Sequence, residues 1–286
     1  MNHRAPSRIT ADPVKHQALS GPMARAYARF RPGVPDEVAW LLADAMTGVP
    51  AVTLLDLGAG TGQVAAAVLP ALPRTRQVDL VDPSWAMLRE AALTLHPLMG
   101  ECALACHETP AEHYGPHQPV GYQADLITCA RAFHRMDRAA VLAMAERIAA
   151  PHTVIALLDD GPVLVHRSEW TGALRDLIQS YLGPGHRPRR PSLRSGQGLR
   201  YEDELAGSAF GDVSRHLFRF PRAWTPREVI GYLRTRSGTR PELFGERHAA
   251  FETEAARLLE TYADGGQVTE QVDFTVLLAR RPGDAR

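Results

Sequence analysis

Val52-Thr53-Leu54-Leu55-Asp56-Leu57-Gly58-Ala59-Gly60-Thr61-Gly62 decides how this 286-residue chain folds. The first half is a short apolar run with β-branched members, the pattern of a strand buried in a parallel sheet. Three glycines at alternate positions follow, and Gln63-Val64-Ala65-Ala66-Ala67-Val68-Leu69 reads as a helix. Strand, glycine turn and helix in that order set free helix N–H groups beside a backbone that a ligand can approach closely. An acid, Asp56, stands at the strand end.

The stretch from Gly60 to Ala65 fits the dinucleotide pattern G-x-G-x-x-A, but that register begins too far beyond the strand. Asp56 also weighs against a pyrophosphate, which a carboxylate repels. A ligand carrying an ammonium and a sulfonium would be attracted. Asp56-x-Gly58-x-Gly60-x-Gly62 resembles the glycine loop of class I S-adenosylmethionine (SAM)-dependent methyltransferases. The bland alternative is a plain strand–turn–helix corner. A second strand, Gln77–Asp82, ends on an acid about twenty residues beyond the glycines, where both dinucleotide and SAM sites place a ribose acceptor. Pro83 and Ser84 then open a helix over Trp85–Leu95. Asp82 reads as that acceptor or as a helix cap, a role Ser84 can also fill.

Composition narrows the class. Lys and Arg number 32, as do Asp and Glu, so the formal net charge is zero, which argues against a broad nucleic-acid footprint. Hydrophobic residues make up 45% and charged residues 22%, enough for one large domain or one domain with an inserted lid. Cys102, Cys106 and Cys129 have no matching Cys/His set, so they read as buried thiols and no metal site is expected. Neither a signal peptide nor a run of about 18 apolar residues is present. The expected location is cytoplasmic, with no membrane partner.

The resemblance extends along the chain and points to the trans-aconitate-methyltransferase-like, methyltransferase type 11 branch. Near the N-terminus a Tyr, then Arg-Pro and a second Pro, precede the first core helix. The resemblance implies that Tyr27 and Arg31 approach the methionyl end of SAM, where an Arg would suit a carboxylate. The alternative is a packed Tyr and a solvated Arg. Pro83 and Met87 follow the ribose acid and join the implied cofactor set. After a third strand over Cys102–Glu108, Ala111 and Glu112 match an Ala-Glu pair that lies near the adenine; a helix start explains them equally. The fourth strand is Ala124–Cys129, and ligands bind beyond the carboxyl ends of such strands. Cys129 and Ala130 therefore complete the set, together with Thr61 of the loop.

Ala132-Phe133-His134-Arg135-Met136-Asp137 resembles the family's Ala-x-His-Trp-x-Asp segment, with Arg135 in place of the usual Trp. Asp137 is expected to cap a helix running to about Ala150. His134 is the candidate catalytic residue, since a neutral imidazole can take a proton from an O–H or N–H nucleophile. It can equally position the substrate or the loop, because methyl transfer chiefly needs alignment.

Thr153–Asp159 reads as the fifth strand, and Val165–Leu182 as a helix with Trp170, Leu174, Leu177, Ile178 and Tyr181 on one face. Gly183–Arg200 carries Arg187, Arg189, Arg190, Arg194 and Arg200 and no acid. It is either a solvated loop or a lid whose arginines meet an anionic substrate. Then come a short helix at Tyr201–Phe210, a strand at Val213–Phe220, a helix opened by the Thr225-Pro226-Arg227-Glu228 capping box, a helix over Phe244–Tyr262 and a strand over Val268–Ala279. The resemblance implies a doubly wound, mostly parallel seven-stranded α/β sheet with its last strand antiparallel. Residues 1–50 would form an N-terminal cover, 51–160 the SAM-binding core, 161–210 a lid, and 211–286 the completion of the sheet. The implied activity is methyl transfer from SAM to an O, N or C nucleophile of a small molecule, in secondary metabolism. Two alternatives stay open: other SAM chemistry on the same fold, such as cyclisation, aminocarboxypropyl transfer or rearrangement, and a non-catalytic SAM-binding protein. An NAD-linked oxidoreductase would lack a recognisable hydride relay.

Overall fold

The computed structural model describes residues 21–115, 121–161, 168–183 and 197–283. The apolar run Val52–Leu57 is β1. It pairs in parallel with β2 (Thr75–Asp82) on one side and β4 (Ala124–Ala130) on the other. Outward from these, β3 (Ala103–Glu108) pairs with β2 and β5 (Ala149–Asp159) with β4, again in parallel. β7 (Val268–Arg280) lies antiparallel on β5, and β6 (Asp212–Trp224) antiparallel on β7. The order is β3-β2-β1-β4-β5-β7-β6, so the expected mostly parallel, seven-stranded sheet is present with its antiparallel end. The direction of winding reverses between β1 and β4, and a crevice opens at their carboxyl ends.

Both faces of the sheet are covered. Along β1, Leu54 points to one apolar cluster with Val64, Val68, Leu80 and Leu126, while Leu55 points to the other with Ile127, Val141 and Met144. That two-sided burial is why the strand reads as continuously apolar. The helices in chain order are α1 (Gly21–Phe30), α2 (Asp36–Ala45), α3 (Gln63–Ala71), α4 (Trp85–Leu95), α5 (Arg138–Ile148), α6 (Glu169–Leu182), α7 (Gln197–Ala206), α8 (Pro226–Arg234), α9 (Pro241–Phe244) and α10 (His248–Tyr262). A third cluster joins α6, α8 and α10 through Trp170, Leu174, Tyr232, Phe251 and Leu259.

Local signals account for several boundaries. Asp137 accepts the Ala140 N–H at 3.1 Å and starts α5. Thr225 and Glu228 close the capping box ahead of α8. Other boundaries shift. The helix expected from Phe244 is interrupted at Gly245, whose φ of 56° breaks it, and resumes at His248. β5 begins at Ala149 rather than Thr153, with Pro151 inside it, and β6 runs on to Trp224. The helix expected from Val165 begins at Glu169. Arg187, Arg189, Arg190 and Arg194 of the expected lid lie outside the described residues, as does the Arg200 side chain.

α1 seats on α4 and α8. Gly231 makes the second contact possible, because a Cβ there would stand 2.3–2.5 Å from the Phe30 ring. All three cysteines are free. Among the described residues no helix is long and apolar enough to cross a membrane.

Candidate active site

The crevice at the β1/β4 reversal is a small cleft, part of it open to solvent. It is lined by Asp56, Gly58, Ala59 and Gly60 of the β1 end and glycine turn, Gln63 and Val64 of α3, Ala130 and Arg131 at the end of β4, Tyr27 of α1, and Val34 from the segment before α2. Asp56 is buried, and its Oδ1 accepts the Thr128 hydroxyl at 2.7 Å. Its Oδ2 has no partner among the described residues. Burial lifts the Asp56 pKa to about 7; the Thr128 hydrogen bond opposes this and the nearby Asp82 charge adds to it. The Thr61 hydroxyl is also buried without a partner.

The glycine turn is pinned from beneath. The Gly58 and Ala59 N–H groups both donate to the Val81 carbonyl, at 2.8 and 3.0 Å. Asp82 accepts the Gly60 N–H at Oδ2 (3.0 Å) and the Ser84 N–H at Oδ1 (2.9 Å), so it braces the turn. Burial raises its pKa, against those two N–H groups and the charge of Arg135. Gly58 has a φ of 66°, and a Cβ there would lie 2.6 Å from that of Ala132. Gly62 serves a different purpose: a Cβ would press on Ala91 at 3.1 Å, so this glycine lets α3 pack on α4.

Arg131, directly after β4, is the one non-glycine residue with positive φ among the described residues, at 57°. Its Nε and Nη2 donate to the two oxygens of Asp160 at 2.8 and 3.1 Å, and its Nη1 to the Pro32 carbonyl at 2.9 Å. Asp160 also receives Arg222 at 2.9 Å, and Trp224 donates to Glu270 at 2.9 Å beside it. Although burial pushes the other way, Arg131 and Arg222 hold Asp160 below the usual carboxylate range. Burial raises Glu270 to about 7, against its bond from Trp224 and the charge of Arg222. This buried chain of charges crosses the carboxyl edge of the sheet from β4 to β6.

Of the residues singled out from sequence, Tyr27, Asp56, Gly58, Gly60 and Ala130 line the cleft, and Val34, Gln63, Val64 and Arg131 join them. Thr61, Gly62, Asp82 and His134 are not among the lining residues, and neither is Arg31. Its guanidinium sits over the Tyr27 and Tyr232 rings and donates to the Thr235 hydroxyl (2.9 Å) and carbonyl (3.1 Å), which ties α1 to the end of α8. Met87, Ala111 and Cys129 are packed in the core, Pro83 is exposed, and Glu112 is half-buried. Burial and the nearby Asp56 raise the Cys129 thiol, against N–H groups of Ala132 and Phe133. His134 sits on the single turn Phe133–Arg135, half-buried. Burial and the charges of Arg135 and Arg138 push its pKa down to about 4, so its imidazole is neutral throughout the neutral range.

Residues 55–155 match a family model described as a methyltransferase domain. This stretch carries a methyltransferase domain. The same architecture recurs in solved structures. A protein of Anaeromyxobacter dehalogenans described as a candidate type II methyltransferase superposes with a TM-score of 0.60 at 23% identity, over 88% of this chain and 98% of its own. The YcgJ protein of Bacillus subtilis gives 0.50 at 16% identity, over 86% and 100%. Precorrin 8w decarboxylase of Methanobacterium thermoautotrophicum gives 0.50 at 12% identity, over 88% and 93%. At these identities the likeness concerns the fold. No curated protein matches the chain.

The cleft offers groups that suit a cationic ligand. Asp56, which lines it, keeps a buried carboxylate oxygen without a partner among the described residues, a counter-charge for a cationic ligand. The turn above presents backbone and no side chains at Gly58 and Gly60. Among the described residues no His/Cys/Asp/Glu group is arranged to hold a metal ion.

Proposed function

We propose that the methyltransferase moves a methyl group from SAM to an O, N or C nucleophile of a small molecule in secondary metabolism. The observation that carries the reading is the unpartnered oxygen of Asp56 in a cleft that Tyr27 and Val34 also line. The zero net charge fits a small-molecule acceptor. SAM supplies a methyl group on a positively charged sulfur, which makes it electrophilic.

The protein's part is to hold charge and align. Asp56 offers a counter-charge in the cleft. Asp82, already braced by Gly60 and Ser84, keeps further lone pairs for ribose hydroxyls. The core-packed Met87 and Ala111, with Pro83, Glu112 and Cys129, would shape the adenine end around the buried Thr61 and the Gly62 turn. Tyr27 and Val34 keep water from the reacting centre. Arg31 acts at one remove, by fixing α1. His134 lies outside the cleft lining, on the turn after β4; on this reading it would accept a hydrogen bond from the acceptor and orient it. With a pKa near 4 it is a weak base, suited to a nucleophile that is already acidic or already ionised. An anionic acceptor drawn by the arginine-rich 183–200 segment agrees with that chemistry. Three free thiols fit a reducing, cytoplasmic setting.

The test is incubation of the purified protein with SAM and fractionated small-molecule extracts, followed by mass spectrometry. A product carrying one added methyl group, formed together with S-adenosylhomocysteine, is expected. A product carrying another part of SAM, or a rearranged acceptor with SAM unspent, would replace this reading with the other chemistries of the fold. Binding of SAM with no conversion in any fraction would favour a non-catalytic protein.

A further inference from the structure

Two side chains that line the cleft reach the same short stretch of backbone. Gln63, in the first turn of α3, donates its Nε2 to the Arg31 carbonyl at 2.9 Å. Arg131, past the end of β4, donates its Nη1 to the Pro32 carbonyl at 2.9 Å. These carbonyls are consecutive, in the connection between α1 and α2. Two lining residues, Tyr27 of α1 and Val34 within the connection, stand before and after these carbonyls in the chain. Arg131 adopts a backbone conformation that L side chains avoid, and Asp160 grips the rest of its guanidinium, which leaves Nη1 for Pro32.

We infer that Gln63 and Arg131 are positioning residues for methyl transfer, suspending the Arg31–Val34 segment across the cleft so that Tyr27 and Val34 form a fixed wall over the bound cofactor. The inference rests on the reading of the cleft as the SAM site. One bond comes from the glycine-loop side and the other from the β4 side. A ligand beneath them leaves only when the suspended segment lifts, so the two bonds govern release more than capture.

Gln63→Leu removes one donor while keeping the side chain's bulk. Arg131→Lys keeps the charge but cannot hold Asp160 by two edges and Pro32 at once. The probe is S-adenosylhomocysteine, with stopped-flow binding and backbone hydrogen exchange read in parallel. In free Gln63→Leu protein the amides between Tyr27 and Val34 should exchange about fivefold to tenfold faster than in the wild type, the factor for one lost hydrogen bond. Dissociation of S-adenosylhomocysteine should accelerate by a similar factor, with association within about twofold. Exchange in α10, far from the cleft, should stay unchanged. Arg131→Lys should behave alike; if it fails to fold, Gln63→Leu decides the matter. Wild-type exchange and release in Gln63→Leu overturn the inference. So does faster exchange spread evenly through α10, since that marks a general loss of stability. A wild-type protein that binds no S-adenosylhomocysteine overturns the cofactor reading instead, and the exchange of the free proteins then decides separately whether Gln63 and Arg131 hold the segment.

Discussion

Asp56→Asn should make the protein more stable and its cofactor binding worse. The carboxyl rises from its ordinary 3.8 to about 7 on folding. The native state therefore binds this proton more tightly than the unfolded chain does. Stability is lost as pH climbs from about 4 to about 7 and is level above that. A shift of about 3 units corresponds to about 4 kcal/mol against folding at pH 8. At pH 5.5, part-way up the same slope, the cost is about 2 kcal/mol. Asparagine keeps the acceptor for the Thr128 hydroxyl and carries no charge. Its new amide N–H groups need partners, which offsets part of the gain. Thermal unfolding near pH 8 should show a rise of about 2–6 °C, shrinking at pH 5.5. Calorimetric titration with SAM should show binding weakened about tenfold to a hundredfold, the value of one charge-assisted contact. In the wild type, SAM affinity should increase with pH up to about 7 and then level, because only the ionised carboxylate attracts the ligand; Asp56→Asn should abolish that slope. A variant less stable than the wild type at pH 8, or one that binds SAM equally well, would refute the account of Asp56.

Asp82→Ala should weaken SAM binding about tenfold or more by removing both the turn's brace and the ribose acceptor, as measured by calorimetry; unchanged affinity in a folded variant sinks the assignment. His134→Asn should lower turnover more than SAM affinity, and full activity would remove His134 from the mechanism. Because its folded pKa lies below that of free imidazole, protonating His134 opposes folding as pH falls from about 6.5 to about 4. Turnover should therefore show no acid limb from this residue near 6.5, and a limb there that disappears in His134→Asn contradicts the burial argument. Gly231→Ala places a methyl group against the Phe30 ring. It should cost about 1–3 kcal/mol in urea unfolding and loosen S-adenosylhomocysteine binding; a variant indistinguishable from wild type would show that α1 is not held there.

Local pattern and distant pairing differ in how far they could be read in advance. The strand, the glycine turn and the acids at 56 and 82 were legible because each depends on neighbours a few residues away. The caps at Asp137 and Thr225 were legible for the same reason. The Arg131–Asp160–Arg222 chain was not, since its members are brought together only by the order β4-β5-β7-β6. An Arg just after strand four and paired acids at the end of strand five were the available signals, and neither says where a side chain turns. Arg31 shows the same limit from the other side. The residue was found, but a hydroxyl more than two hundred positions away, on Thr235, sets its direction. Gly62 matched the ligand loop, yet its φ of 77° and the close approach of Ala91 account for a glycine there without a ligand.

The grips on Arg31 and Pro32 fall on main-chain oxygens, which every amino acid carries. The wall they support is thus indifferent to the identity of its own side chains. Val34 could be widened to Ala or polarised to Thr, and Tyr27 shortened to Phe, with both grips in place. Selectivity for the acceptor can drift, or be engineered, at those two positions without undoing the anchorage, much as a window pane is changed while its frame stays in the wall.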